Sequence, residues 1–419
     1  MDREIISSIM NEVGTPFYIY EFEKIKQQYT KLSTALPRSS KIYYSVKANP
    51  SLAICQIIRT FTEYAEVSSL QELLYVQKCG FEPHNILFSG PGKSLEELKY
   101  AIKHGITINI ESKGELLHIN DLCQVEGIKS EILIRINPNF TNTKFGIVMS
   151  GVSSQFGIDI SDIDEIIKIL QKTDQIIISG FAIYLGSQIL DAQVIVDNTE
   201  KALELFFELI EKYKIKVRRL NVGGGFGISY FDDKGLDCLL LKSGMTRVFE
   251  KYKNALEGMD VYFESGRFLL AESGSFITKV LYAKESKGKK YLICDGGFNN
   301  ILISTFFTRE IRGNFPIEVF NSLDMTSKNE YIICGPLCNP CDKLACNILL
   351  PEVKEGDLII VRKVGAYGLT YSPVLFISHN IPAEILIKDD QYYVIRSPSP
   401  KEQFWDNQYM LPHKTFNKD

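Results

Sequence analysis

The sequence predicts an α/β plus all-β protein: a (β/α)8 TIM barrel over residues 27–270 and a β-sandwich or barrel domain made of residues 1–26 and 271–419. Two observations carry this. Short segments rich in apolar, β-branched and aromatic residues alternate with helical segments eight times over about 240 residues, the count and length of a closed eight-stranded barrel. After Arg267 the helical segments stop and short strands separated by turn residues follow one another. A doubly wound open sheet is the rival arrangement for the first part.

Taken in order, Thr15–Tyr20 is a strand ahead of the barrel that joins the β domain. The first barrel strand, Ile42–Ala48, carries Lys47 at its end; Tyr43, Ser45 and Lys47 share one face, and Ile42, Tyr44 and Val46 the other. Asn49-Pro50 stops it, because proline cannot continue a ladder and restricts the residue before it. The next seven strands are Tyr64–Ser69, Asn85–Gly90, Ile106–Ile110, Glu131–Asn137, Ile178–Leu185, Arg218–Gly223 and Val261–Arg267. Helices are expected at Ser51–Phe61, Ser69–Cys79, Ser94–His104 and Ser112–Cys123, each opening on a serine suited to an N-cap, and at Asn198–Tyr213. Pro138–Ser161, rich in Asn, Thr, Ser and Gly, reads as a loop over one barrel face. In the β domain, strands are expected at Ser275–Ser286, Lys290–Asp295, Tyr331–Cys334, Asp357–Lys363, Val374–Ser378, Ile385–Lys388 and Gln391–Ile395, before a polar tail from Ser397.

Composition is that of an ordinary globular chain: 419 residues, 45% hydrophobic and 23% charged. A formal net charge of -4 argues against a nucleic-acid footprint. With no 18-residue apolar run and no basic-then-apolar N-terminus, a soluble cytoplasmic protein without membrane contact is expected. Nine cysteines, an odd number, do not read as a disulfide framework. Cys338-x-x-Cys341 lies near Cys334 and Cys346, but without a second such pair or a spaced histidine pair no metal is expected.

Function in a barrel belongs at the C-terminal ends of its strands. Those ends carry Lys47; Glu66 and Ser68; Arg135 and Asn137; Tyr184 with Gly186-Ser187-Gln188; Gly223-Gly224-Gly225-Phe226-Gly227; and Glu264-Ser265-Gly266-Arg267. A lone lysine here reads first as a strand-end residue that snorkels to water. The triple glycine lets backbone N–H groups approach an anion, and it stands after strand seven, where phosphate sites of this fold cluster. Arg267 adds charge to the same phosphate, or forms a structural ion pair. Glu264 on the inner end of a strand is costly without a partner; a pyridine nitrogen held protonated would be one. Lys47, a phosphate cradle and Glu264 together describe a site for pyridoxal 5'-phosphate.

These segments make the sequence resemble the fold-type III pyridoxal-phosphate enzymes, in the diaminopimelate/ornithine decarboxylase branch. The resemblance spans nearly the whole chain and rests on YYSVKANP (43–50), VSSLQEL (67–73), RINP (135–138), GSQ (186–188), GGGFG (223–227), ESGR (264–267), CGPLCNPCD (334–342) and GAYG (365–368). FSGPGK (88–93), SSQFGI (153–158), ESGRFLLA (264–271) and GAYGLTYSPVLF (365–376) are similar to the subgroup of butirosin-type L-glutamyl-carrier-protein decarboxylases and exosortase-associated decarboxylases. The resemblance implies an alanine racemase-like fold and a pyridoxal-phosphate Schiff base on Lys47. It implies Glu264 on the pyridine nitrogen, with Glu66, Arg135 and Tyr184 in the cofactor site. Gly223, Gly224, Gly225, Gly266, Arg267, Ser187 and Tyr367 would surround the phosphate. Cys338 would return a proton to the substrate carbon, and Asp342 and Tyr367 would lie by the substrate. Because Cys338 and Tyr367 would serve the other subunit's barrel, a homodimer with shared sites is implied.

The sequence departs from the branch in places. Tyr184 stands where the family has a ring-stacking histidine, and Glu66 where it has aspartate. Asn339-Pro340 follows Cys338 in place of Glu-Ser, and after Asp295-Gly296-Gly297 the candidates for a substrate anion are Arg312, then Arg309, with a solvated loop charge as the alternative reading of each. These changes argue against free diaminopimelate. The expected activity is α-decarboxylation of an amino acid or derivative, with carrier-protein-tethered L-glutamate as one substrate and free diaminopimelate, ornithine or lysine as the alternative. An amino-acid racemase is disfavoured by Glu264, since racemases of this fold set arginine on the ring nitrogen. A binding protein that has lost the cofactor is opposed by Lys47, Glu264, Tyr367 and Cys338.

Overall fold

The structure, a computed structural model, describes residues 3–140, 147–148, 150–231, 234–302, 313–320 and 328–411. Arg309 and Arg312 lie outside the described residues. The chain divides into two compact units, Glu23–Glu272 and a composite of Met1–Phe22 with Ser273–Asp419.

Eight parallel strands close the first unit into a barrel: Ser40–Ser45, Tyr64–Val67, Ile86–Phe88, Thr107–Ile110, Ser130–Asn137, Ile176–Ala182, Arg219–Asn221 and Asp260–Ser265. Each pairs with the next, and the eighth pairs with the first through Val261–Ser40 to Ser265–Tyr44. The open-sheet alternative is thereby set aside. Helices follow at Leu52–Arg59, Leu70–Lys78, Leu95–Lys103, Lys113–Glu126, Ile163–Leu170, Ala192–Tyr213 and Cys238–Lys251. Ser69, Ser94 and Ser112 accept from the third backbone N–H of their helices, and Ser94 completes a capping box with Glu97. Ser51 makes no such side-chain bond.

The first strand is shorter than expected. It ends at Ser45, and Val46–Ala48 form a 3-10 turn closed by Asn49 N–H to Val46 C=O at 2.9 Å. Tyr44 fixes the turn by donating its hydroxyl to Asn49 C=O at 2.6 Å. Lys47 therefore leaves from a turn above the strand rather than from the ladder itself.

Parity along the strands organises the interior. Tyr43, Tyr262, Leu87, Leu133 and Ala182 form one packed layer, with Tyr43 stacked on Tyr262 at 4.7 Å and Tyr64 meeting both edge-on. Two residues further along the same strands, on the same face, stand Glu66, Arg135 and Glu264, with Asn221 two beyond Arg219. The aromatic layer fills the barrel, and the polar layer sits above it on the C-terminal side.

The composite unit is built on a mixed sheet. Phe17–Glu21 lies between Gly274–Ser286, antiparallel, and Ala383–Lys388, parallel. Leu358–Arg362, Lys289–Cys294, Asn329–Cys334, Lys343–Leu350 and Gln391–Arg396 extend it. Val374–Ser378 is not a strand: Pro373 lacks a ladder N–H, and local bonds from Val374 N–H to Ser372 C=O and Phe376 N–H to Pro373 C=O turn the chain into 3-10 geometry. The amphipathic helix Arg3–Val13 buries Ile6 and Ile9 against Phe17, Ile19 and Ile385. Among the described residues no helix is long and apolar enough to cross a membrane, and no group of three or more His, Cys, Asp or Glu is placed to hold a metal.

Candidate active site

The polar layer holds a compact charge system. Lys47 Nζ lies 3.2 Å from both carboxylate oxygens of Glu66, and 5.8 Å from the ring centre of Tyr184. The Glu66 side chain is 2% exposed, whereas that of Lys47 is 41% exposed. The amine thus faces the mouth while its counter-charge lies beneath it. Glu264 is buried, and Asn221 donates to its Oε1 at 2.8 Å. Burial and then the neighbouring Glu66 push the Glu264 carboxyl up to about 7; Lys47, Asn221 and Arg135 hold it back from rising further. Glu72 is pushed up to about 6, mainly by burial, although Ser68 N–H donates to it.

Arg135 donates from Nη1 to Glu111 at 2.9 Å, and its guanidinium packs 4.9 Å from the ring centre of Phe156. Its Nε is buried with no hydrogen-bond partner among the described residues. Glu111 also accepts from Gly90 N–H at 2.7 Å and Gly157 N–H at 3.2 Å, so one carboxylate ties the loops after strands three and five to Arg135.

The glycine run follows strand seven. Asn221 accepts from Gly223 N–H at 3.0 Å with the side chain that donates to Glu264, which links the run to the buried acid. A Cβ on Gly224 would stand 1.8 Å from Glu264 C=O, and one on Gly223 2.5 Å from Ile183 C=O. Gly266 packs on the turn of Lys47: a Cβ there would meet Ala48 at 2.7 Å and Ser45 C=O at 2.8 Å. Arg267 donates to the Tyr230 hydroxyl at 3.0 Å, and Ser187 pairs with Ile147.

The remaining sequence-selected residues lie in the composite unit. Cys338 is exposed on a turn. Asp342, buried at the end of the same turn, accepts from Phe298 N–H at 2.8 Å and Leu337 N–H at 2.9 Å; burial raises its carboxyl. Gly297 and Gly335 pack against that carboxylate with no room for a Cβ. Asp342 thus braces the turn carrying Cys338. Tyr367 takes a left-handed conformation, with φ of 56°.

A family model described as pyridoxal-dependent decarboxylase, pyridoxal binding domain, matches residues 22–271, the barrel unit. The chain belongs to the pyridoxal-dependent decarboxylases. This decarboxylase is 35% identical over 408 residues to the L-glutamyl-[BtrI acyl-carrier protein] decarboxylase of Niallia circulans, with 94% of each chain covered. It is 32% identical over 396 residues to the diaminopimelate decarboxylase of Helicobacter pylori, covering 93% of this chain and 95% of the relative. The crystal structure of the Helicobacter pylori diaminopimelate decarboxylase complexed with L-lysine superposes with a TM-score of 0.86 at 30% identity, covering 96% of this chain and 98% of that one. The decarboxylase therefore has the alanine racemase-like architecture and is a carboxy-lyase.

Sequence reasoning missed Asn221, Glu111 and Glu72 in this decarboxylase. Asn221 carried a usable signal, being two residues from Arg219 on one strand and hence on its inward face. Glu111 stands just past the end of strand four, and nothing local ties it to Arg135, 24 residues on.

Proposed function

We propose that the decarboxylase binds pyridoxal 5'-phosphate in the barrel unit and removes the α-carboxylate of an amino acid or amino-acid derivative, with carrier-tethered L-glutamate as the first substrate to test. The observation that carries this reading is the stacked arrangement of Lys47, Glu66 and Glu264: an amine at the mouth above two buried carboxyls, one of them pushed up to about 7. That donor set fits the cofactor. A pyridine ring needs an acid that can hold its nitrogen protonated, an amine that can take its aldehyde, and backbone N–H groups bare enough to reach its phosphate. Glu264, Lys47 and the N–H groups of Gly224 and Gly225 are of those kinds, Gly223 N–H being held by Asn221, and the buried Arg135 Nε and Ser265 Oγ, without partners among the described residues, fit a polar guest.

Bound there, the cofactor supplies an electron sink for the pair released when the Cα–carboxylate bond breaks. Lys47 would hold the cofactor through its amine, which stands at the mouth where a substrate amine would arrive. Glu264 holds a proton at the ring nitrogen; a positive charge there converts its costly burial into an ion pair. Tyr184 presents an aromatic face where the branch has histidine. Ser187, Gly223 to Gly225, Gly266 and Arg267, with Tyr367 of the partner subunit, would surround the phosphate. Cys338 of the partner subunit delivers the proton to Cα, so the working form is a homodimer with shared sites. The exposed Tyr371, Leu375, Phe376 and Ile377, close in sequence to Tyr367, support such a buried contact. Arg312, Arg309 and Asp342 remain the candidates for the far end of the substrate.

The carrier-tethered substrate is favoured by the likeness to the Niallia circulans enzyme and by Asn339-Pro340 after Cys338. The test has two parts. Purified protein should show an absorption band near ~420 nm that Lys47→Ala abolishes; a colourless wild type would refute the cofactor assignment. Release of CO2 is then compared for an L-glutamyl carrier protein and free diaminopimelate, ornithine and lysine. Turnover of a free diamino acid, with none of the carrier substrate, would overturn the substrate choice.

A further inference from the structure

We infer that Gln188 is a positioning residue that holds the phosphate cradle in shape, an inference that rests on the cofactor reading above. Gln188 belongs to the Gly186-Ser187-Gln188 motif, of which that reading uses only Ser187. Its backbone adopts φ of 64°, a left-handed conformation that a non-glycine residue reaches at a cost and keeps only when its surroundings fix it. The surroundings here are specific. The Gln188 side chain donates from Nε2 to Ile228 C=O at 2.5 Å and accepts at Oε1 from Ile228 N–H at 3.0 Å. One amide thus satisfies both backbone groups of a single residue, as a neighbouring strand would.

Ile228 ends the segment that begins with Gly223-Gly224-Gly225. Beside the clamp, Ile189 N–H donates to Gly225 C=O at 2.8 Å and Gly227 N–H to Ile189 C=O at 2.9 Å, a short parallel bridge between Ile189 and Phe226. Gly225 lies so close to Gly186 C=O that a Cβ would stand 2.4 Å from it. The two loops that bear Ser187 and the glycine run are therefore zipped together, and the Gln188 side chain fastens Ile228, just past the Ile189–Phe226 bridge. Without the clamp, Ser187 and the glycine N–H groups no longer share a fixed spacing, and a phosphate monoester loses its preorganised donors.

The test separates the phosphate from the ring. Apoprotein, Gln188→Gly and Gln188→Met are titrated with pyridoxal 5'-phosphate and with pyridoxal, following the band near ~420 nm. Gln188→Gly removes the clamp while easing the left-handed backbone, so it keeps the experiment readable if Gln188→Met folds poorly. Both variants should lose roughly tenfold of the preference for the phosphorylated form, with pyridoxal binding little changed. An unchanged preference, or equal losses for both ligands, overturns the inference and leaves Gln188 a purely structural residue. A wild type that binds pyridoxal 5'-phosphate no better than pyridoxal overturns the phosphate cradle itself, and this inference with it. A wild type that gives no band with either refutes the cofactor reading.

Discussion

Replacing Glu264 with glutamine should change how apoprotein stability depends on pH. The Glu264 carboxyl ionises near 7 in the folded barrel, against an ordinary value of 4.5, chiefly because it is buried and second because Glu66 lies near it. Between pH 4.5 and 7 the unfolded chain has given up this proton while the folded chain keeps it. The unfolded state then binds fewer protons, so unfolding becomes easier as pH rises through that window. Above pH 7 both states are ionised and the penalty is constant. A rise from 4.5 to about 7 corresponds to about 3 kcal/mol of lost stability. Glutamine carries no charge at any of these pH values, keeps the volume, and leaves Asn221 an oxygen to donate to. Urea denaturation of cofactor-free wild type and Glu264→Gln at pH 4.5, 6, 7 and 8.5 measures the difference. The variant should gain on wild type by about 3 kcal/mol across the series, whatever its offset at the acid end. A difference that stays flat with pH, or that runs the other way, would refute the buried-acid argument. In protein loaded with pyridoxal 5'-phosphate the gain should shrink or reverse, since a ring cation compensates the wild-type carboxylate.

Gly224→Ala puts a Cβ where Glu264 C=O lies 1.8 Å away, and should destabilise the barrel by about 3 kcal/mol or more in urea melts; Gly114→Ala, on a helix with nothing within 4 Å, should be neutral or gain about 0.5 kcal/mol. Asp342→Ala strips an acceptor from two backbone N–H groups, so a loss of about 2–5 kcal/mol is expected, measured by thermal or urea unfolding of the whole chain. Mixing inactive Lys47→Ala with inactive Cys338→Ala under subunit exchange should restore up to about a quarter of wild-type CO2 release, because hybrid dimers rebuild one site. No recovery from well-exchanged dimers would place both residues in one chain's site.

The strands of the barrel were legible because each is a short β-branched run bounded by turn residues, and because parity names an inward face. The sequence singles out Lys47 but puts it on the ladder; the 3-10 turn that carries it depends on the Tyr44 hydroxyl reaching Asn49, a bond between a buried ring and a loop that no periodicity signals. Lys343–Leu350 is a strand without strand composition: Lys343, Cys346 and Asn347 interrupt its apolar residues, and Asn347 takes a left-handed φ of 52°. Val374–Ser378 has strand composition, yet Pro373 and local turn bonds outweigh it. Asn221, Glu111 and Gln188 act across gaps of 43, 24 and 40 residues, distances at which only the closed barrel decides who meets whom.

The central place of Phe17–Glu21 in the composite sheet has a consequence for biosynthesis. Its two neighbours, Gly274–Ser286 and Ala383–Lys388, leave the ribosome only after the entire barrel has been made. The strand emerges first and finds its partners last, with both edges unsatisfied in the interval. Folding of the barrel in between draws strand one and strand eight side by side, which shortens the effective loop that the waiting strand must close. Chains released with their C-terminus just before Gly274 should therefore carry an open, chaperone-accessible N-terminal strand.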